Sequence, residues 1–169
     1  MTLHFSDTPE DMERLRNLLV ESGLFAFVTG CYDGLHEGHR RLFSRAVELG
    51  SRVVVAVNPD EYIRRHKRPN PMFALEQRLK ALEDVEGVFA TIVMHDELPC
   101  RLIETLKPDY FVLGPDYNNP ATRVAEAALR SANAVNCKVF ICDDNRTISS
   151  SEIYTKHKIP LSAAKPQIG

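Results

Sequence analysis

The sequence lacks any apolar run long enough to cross a membrane. Its longest apolar stretches fall within residues 52–57 and 111–113, whereas a transmembrane helix needs about 20 apolar residues. The first 24 residues mix acidic, basic and apolar side chains. They show neither the apolar core nor the cleavage site of a signal peptide. These absences predict a cytoplasmic protein with no membrane partner.

The sequence also lacks an excess of charge of either sign. Its 21 lysines and arginines nearly balance its 23 aspartates and glutamates, which gives a net charge of −2. Because a basic surface drives binding to nucleic acids and anionic membranes, this balance predicts no nucleic-acid partner. Any binding of phosphate must therefore come from a local site.

Cysteines are few, and their spacing matches no metal site. Cys31, Cys100, Cys137 and Cys142 form no C-x-x-C pair, which is common in zinc sites. We therefore expect reduced thiols and no metal ion held by protein side chains.

Helical and strand patterns alternate along a chain of 169 residues that is 44% hydrophobic. The periodicity predicts strands at 24–29, 52–57, 88–94, 110–113 and 138–142, and helices at 9–22, 39–49, 74–85, 97–107, 121–134 and 150–157. This alternation predicts an α/β fold, a single Rossmann-like domain whose five-stranded parallel sheet carries helices on both faces. We expect an N-terminal helical extension (1–23), the main domain (24–159) and a C-terminal tail (160–169).

Ligands of such sheets bind beyond the carboxyl ends of the strands. After the first strand of the main domain, residues 29–39 read T-G-C-Y-D-G-L-H-E-G-H and run directly into a helix. The glycines permit a tight turn, and the helix N-terminus attracts phosphate. His36 and His39 are spaced so that both could face one anion. Two surface histidines, or a zinc pair lacking a third ligand, are the alternatives.

This segment resembles the signature T-G-C-[FY]-D-x-x-H-x-G-H of the cytidylyltransferase-like nucleotidyltransferases. Further resemblances follow in order: an N-x-D-E turn at 58–61, a basic stretch ending at Lys67, an N-P…E-x-R segment containing Arg78, a G-x-D-[YW] loop at 114–117 and an I-S-[ST]-[ST]-x-I motif at 148–153. Taken singly, the basic stretch could be a solvated loop and the serines a simple helix cap. Their order along the chain favours the family.

The resemblance implies transfer of a nucleotidyl group from a nucleoside triphosphate to a phosphomonoester, with release of pyrophosphate and with Mg²⁺ bound to the nucleotide. It makes His36, His39 and Lys67 the catalytic residues. It places the phosphomonoester phosphate against Lys67, Arg78 and Arg146. The implied nucleotide contacts are Thr29, Gly30, Cys31, Tyr32, Gly38, Gly114, Asp116, Tyr117, Ile148, Ser149, Ser150 and Ser151. We expect Asp33 to buttress the turn rather than to bind metal.

Within the family, the chain is most similar to the adenylyltransferase of ADP-heptose synthesis, which implies ATP and a heptose 1-phosphate. The first alternative is a cytidylyltransferase of the glycerol-3-phosphate or phosphoethanolamine type that uses CTP. Further alternatives are an FMN adenylyltransferase, a phosphopantetheine-type enzyme, and a non-catalytic nucleotide-binding protein on the same fold. The resemblance also implies a homodimer or a higher homo-oligomer.

Overall fold

A computed structural model describes residues 1–114, 123–143 and 146–149 of the chain. The strands are β1 (Leu3–Ser6), β2 (Phe25–Gly30), β3 (Arg52–Val57), β4 (Val88–Val93), β5 (Tyr110–Leu113), β6 (Lys138–Asp143) and β7 (Arg146–Ser149). The helices are α1 (Pro9–Val20), α2 (Glu37–Gly50), α3 (Asp60–His66), α4 (Leu75–Glu83), α5 (Cys100–Leu106) and α6 (Arg123–Ala134).

All described strands form one sheet in the order β1-β4-β3-β2-β5-β6-β7. Every neighbouring pair is parallel except β6 and β7. The α/β class and the parallel sheet are therefore confirmed, whereas the predicted number of five strands is wrong. The two additional strands read L-H-F-S and R-T-I-S, and they lack the continuous apolar run that marks the equally short β5.

The first 23 residues contribute to the sheet and to its core. Strand β1 pairs with β4 from Leu3 to Ser6. The side chains of Met12, Leu15 and Leu19 on α1 are buried in the core cluster that also contains residues of α5 and α6. The predicted helix is therefore present, and a strand that was not predicted precedes it. The division of the chain at residue 23 stays a prediction.

Helices cover both faces of the sheet, as predicted. On one face α1, α5 and α6 pack against side chains such as Phe25 and Phe27. On the other face α2 and α4 pack against Ala26 and Val28. The alternation follows from the geometry of a strand, in which successive side chains point to opposite faces. Within the described part of the chain, no helix is long and apolar enough to cross a membrane.

The observed helices differ from the predicted elements near the carboxyl edge of the sheet. Helix α3 was not predicted because Ile63 is its single buried residue, so the segment shows no apolar periodicity. Helix α2 begins at Glu37, two residues before the predicted start, because His36 acts as its N-cap. The helix predicted at 150–157 lies outside the described residues.

The strand order places a topological switch point between β2 and β5. From β2 the chain proceeds to β3 and β4 on one side, whereas β5 and β6 lie on the other. In doubly wound folds the ligand crevice forms at this point, beyond the carboxyl ends of the strands. Gly30 ends β2 there, and the loop that follows leads into α2.

Candidate active site

The loop after β2 is a compact turn held by aromatic packing. We call residues 30–39 the phosphate turn, after the phosphate binding that the sequence predicts for it. Tyr32 is almost fully buried and has a positive φ of 49°. Its ring lies 5.3 Å from the Phe43 ring and 5.2 Å from the His39 ring, measured between centroids. A Cβ at Gly30 would lie 3.0 Å from Tyr32 Cζ. Glycine at this position therefore makes room for the aromatic ring beneath the turn.

The two histidines of the turn form the N-terminal cap of α2. His36 Nδ1 accepts hydrogen bonds from the N–H groups of Gly38 at 3.1 Å and His39 at 3.4 Å. His39 Nδ1 in turn accepts one from the His36 N–H at 3.4 Å. The rings are stacked, with centroids 3.7 Å apart. Because Nδ1 accepts in both rings, each neutral imidazole carries its proton on Nε2.

Glycine is also required at position 38. A Cβ there would lie 2.9 Å from His36 Cε1, which is closer than side-chain carbons approach one another. The absence of a side chain at Gly38 therefore allows the His36 ring to fold over the first turn of α2. The spacing H-x-G-H thus has a steric reason that the structure makes explicit.

Asp33 links the phosphate turn to the loop between α3 and α4. Its carboxylate accepts hydrogen bonds from the N–H groups of Met72 and Phe73, each at 2.8 Å, and lies 3.6 Å from the Arg68 guanidinium. Burial alone would raise the pKa of Asp33, but these two N–H groups and the arginine outweigh it and hold the pKa below its ordinary value. The carboxylate therefore buttresses the turn, as the sequence predicted.

Arg78 differs from the prediction because its guanidinium is buried, with 1% of the residue exposed. Nη1 donates to the carbonyl oxygens of Cys31 at 2.6 Å and Asn58 at 2.7 Å. Nη2 contacts the carboxylate of Asp60 at 2.6 Å, and Nε donates to the carbonyl oxygen of Phe73 at 3.1 Å. Protein groups thus occupy four of its five N–H bonds. This geometry argues against the predicted phosphate contact and makes Arg78 a positioning residue.

Lys67 lies beside the phosphate turn although it follows another strand. It is the exposed C-cap residue of α3, and it lies near enough to the buried Cys31 thiol for its positive charge to lower the pKa of that thiol. Burial raises the pKa of that thiol, outweighing the opposite effect of the charges on Lys67 and Arg78. Cys31 is therefore a neutral thiol at neutral pH. The structure thus brings the predicted lysine to the turn that carries the two histidines.

The other predicted nucleotide contacts, and the predicted phosphate contact Arg146, are described only in part. Thr29 lies in β2 in register with Ala56 of β3, and Gly114 follows β5, where a Cβ would meet nothing within 4 Å. The backbone of three further residues belongs to β7, namely Arg146, Ile148 and Ser149. Four predicted contacts lie outside the described residues, namely Asp116, Tyr117, Ser150 and Ser151.

A second polar cluster lies at the carboxyl ends of β1 and β4, and sequence reasoning missed it. The Asp7 carboxylate accepts hydrogen bonds from His95 Nδ1 at 2.8 Å and from the His95 N–H at 2.7 Å. Arg101 donates to the Asp7 carbonyl oxygen at 3.0 Å. Because Asp7 and His95 are 88 residues apart, only the pairing of β1 with β4 brings them together. No local pattern signals such a contact.

A model of the cytidylyltransferase-like family matches residues 27–156, a range that includes the phosphate turn and Lys67. The chain belongs to this family. The match confirms the family predicted from the sequence, and with it the nucleotidyltransferase class of domain.

Curated relatives agree with this assignment over part of their length. The bifunctional protein HldE of Nitrosococcus oceani is 34% identical over 146 residues, which are 85% of this chain and 30% of the relative. HldE of Hahella chejuensis is 42% identical over 93 residues, 54% of this chain and 20% of the relative. The chain thus spans less than a third of the length of these relatives.

A solved structure shares the same architecture. The lipopolysaccharide core biosynthesis protein from Thermoplasma volcanium GSS1 superposes with a TM-score of 0.56 at 28% sequence identity. The match covers 70% of this chain and 93% of that protein. The similarity therefore extends over nearly the whole of the other protein.

Proposed function

We propose that this protein transfers the nucleotidyl group of ATP to a sugar 1-phosphate, namely a heptose 1-phosphate, with release of pyrophosphate. The observation that carries the proposal is the pair of stacked histidines at the N-terminus of α2, positioned at the switch point of the sheet with Lys67 beside the same turn. This arrangement presents several hydrogen-bond donors to one anion.

The phosphate turn binds the triphosphate through three kinds of group. The N-terminus of α2 carries the positive end of the helix dipole. His36 and His39 present Nε2–H donors, because their Nδ1 atoms are occupied by backbone N–H groups. We expect backbone groups of residues 29–32 to contact the same phosphates. Together these groups stabilise the negative charge that moves onto the departing pyrophosphate.

The reaction needs no covalent enzyme intermediate. An oxygen of the acceptor phosphate attacks the α-phosphorus in line with the departing pyrophosphate, so that one P–O bond forms while another breaks. The protein must hold two polyanions that repel each other. Lys67, at the end of α3 and beside Cys31, supplies a mobile positive charge that contacts both the acceptor phosphate and the nucleotide.

Mg²⁺ is expected to be carried by the nucleotide rather than by protein side chains. In residues 1–114, 123–143 and 146–149 no group of three His, Cys, Asp or Glu side chains could hold a metal ion. The Asp33 carboxylate is engaged by backbone N–H groups. When bound, the ion shields the charge of the β- and γ-phosphates, and phosphate oxygens and water are its natural ligands.

The choice of substrates rests on the similarity to HldE and on the sequence resemblance to the adenylyltransferase of ADP-heptose synthesis. Because the chain spans only part of the HldE proteins, ATP and heptose 1-phosphate are proposed for this domain alone. A cytoplasmic location and a homo-oligomeric state stay predictions.

Pyrophosphate release in the presence of Mg²⁺ tests the proposal. ATP, CTP, GTP and UTP are each combined with heptose 1-phosphate, glycerol 3-phosphate, phosphoethanolamine, FMN and phosphopantetheine. We expect the highest kcat/KM for ATP with heptose 1-phosphate. Preference for CTP with glycerol 3-phosphate would overturn the substrates but keep the reaction. Nucleotide binding without turnover in any combination would indicate a non-catalytic binding protein.

A further inference from the structure

The polar cluster at β1 and β4 lies on the side of the crevice where the acceptor must bind. Under the proposed function the triphosphate occupies the phosphate turn, between β2 and β5. Lys67 then lies at the boundary between this triphosphate site and the ends of β3 and β4, because α3 connects β3 to the segment that precedes β4. The acceptor phosphate lies at this boundary under the proposed function. The rest of the acceptor molecule then extends over the carboxyl ends of β3, β4 and β1.

The loop between β4 and α5 is fixed directly beside α3. Glu97 accepts a hydrogen bond from Arg65 at 2.7 Å and lies 3.0 Å from His66 Nε2. Both partners belong to the last turn of α3, immediately before Lys67. His95 precedes Glu97 by two residues in the same loop. The contacts therefore place His95 in the neighbourhood of the lysine that receives the acceptor phosphate.

His95 combines an exposed ring with a buried partner. Its side chain is 61% exposed, whereas the side chain of Asp7 behind it is 8% exposed. Burial alone would raise the pKa of Asp7, but the His95 hydrogen bonds and the charge of Arg101 outweigh it, so the pKa lies below its ordinary value. Asp7 is thus ionised at neutral pH and holds the proton of His95 on Nδ1. Nε2 is left as the ring atom that can meet a ligand.

The nearby arginine is already engaged by acidic groups. Arg101 contacts the Asp7 carboxylate at 3.3 Å and donates from Nε to Asp96 at 2.7 Å. Its charge is therefore balanced within the protein, which makes it a poor candidate for a second phosphate site. The group that the cluster presents outward is an oriented imidazole, which suits a hydroxyl better than an anion.

We propose that His95, held by Asp7, is a specificity-determining residue that hydrogen-bonds a hydroxyl group of the acceptor. This inference rests on the proposed function and extends it, because it selects a polyhydroxylated phosphomonoester such as a sugar phosphate. In the imidazole form of His95, Nε2 accepts the hydrogen bond of the hydroxyl group. A general base is not needed, because the attacking phosphate oxygen carries no proton that must be removed.

Steady-state kinetics of His95→Ala and His95→Gln with ATP and heptose 1-phosphate test the inference. We expect His95→Ala to raise the KM for heptose 1-phosphate about tenfold, the effect of losing one hydrogen bond. The KM for ATP and kcat should change less than twofold. The amide oxygen of His95→Gln can accept a hydrogen bond, so this variant should recover part of the loss. Asp7→Asn should raise the same KM, because the imidazole loses its orientation.

His4→Gln is the matched control. His4 is also a histidine of the β1–β4 region, and it has two side-chain partners, Thr91 at 2.6 Å and Glu83 at 2.8 Å. The substitution His4→Gln should leave the KM values for ATP and for heptose 1-phosphate unchanged. An unchanged acceptor KM in His95→Ala, or a rise in the KM for ATP instead, would overturn the inference alone. A wild-type protein that is silent with heptose 1-phosphate and glycerol 3-phosphate would overturn the proposed function, and this inference with it.

Discussion

The two sides of the crevice are built in opposite ways. The phosphate turn is mostly local: its histidines, glycines and helix cap lie within residues 30–39, and the hydrogen bonds of its histidines join residues two or three apart. The β4–α5 side is assembled from distant segments, with Asp7 reaching His95 and Arg65 reaching Glu97. A local anion site can serve any nucleotide, whereas a site assembled from distant segments can change its acceptor without disturbing the turn.

Arg78 connects the phosphate turn to distant segments of the chain. Of the substitutions proposed here, Arg78→Met should have the largest effect, which is on the free energy of unfolding. The carbonyl oxygens of Cys31 and Asn58 and the Asp60 carboxylate would lose their donors inside the protein. We expect the free energy of unfolding to fall by about 3–5 kcal/mol, as measured by urea denaturation. Arg64→Met, on the exposed surface of α3, is the control and should change stability by less than about 0.5 kcal/mol. Equal stability of the two variants would contradict the positioning role.

Lys67 lies between the phosphate turn and the β4–α5 side of the crevice. The substitution Lys67→Met therefore tests whether both sides contribute to one reaction. We expect kcat to fall about 10²–10³-fold, because the charge is needed most in the transition state. Folding should be unaffected, since Lys67 is exposed. Arg64→Met removes a positive charge from the same basic stretch and should retain most of the activity. Similar losses in both variants would indicate a general effect of surface charge.

His36 has two roles within the phosphate turn, and two substitutions can separate them. His36→Asn keeps a side-chain acceptor at the N-cap of α2, whereas His36→Ala does not. We expect both to lower kcat about 10²-fold, because both remove Nε2. Only His36→Ala should also lose about 1 kcal/mol of stability, as seen in thermal unfolding. Full activity in the stable His36→Asn variant would show that His36 caps helix α2 and has no role in catalysis.

Asp33 gives the smallest predicted effect, and it depends on pH. Its pKa in the folded protein lies below the ordinary value, so its contribution is present above the unfolded-state pKa and is lost as the pH falls through the folded-state pKa. Asp33→Asn should lower the free energy of unfolding by about 2 kcal/mol at pH 7. The variant should also lose less stability than the wild type as the pH falls. Parallel acid-unfolding curves for the variant and the wild type would contradict this role.

The contrast between the two sides also explains what the sequence could predict. The phosphate turn was predictable because His36, Gly38 and His39 act through contacts between near neighbours. Strands β2 to β6 were predictable from their apolar runs, including the four-residue β5, whereas β1 reads L-H-F-S and has no such run. The Asp7–His95 pair depends on strand pairing, and the burial of Arg78 depends on the convergence of three loops. Neither the Asp7–His95 pair nor the burial of Arg78 can be predicted from residue type and spacing.

Transfer of a label from the α-phosphate tests the central claim most directly. Wild-type protein is incubated with Mg²⁺, heptose 1-phosphate and ATP that carries radioactive phosphorus at the α position. The account predicts that the label appears in a nucleotide-linked sugar and that the released pyrophosphate is unlabelled. Label that stays in ATP, or that leaves as AMP without joining the sugar phosphate, would contradict it.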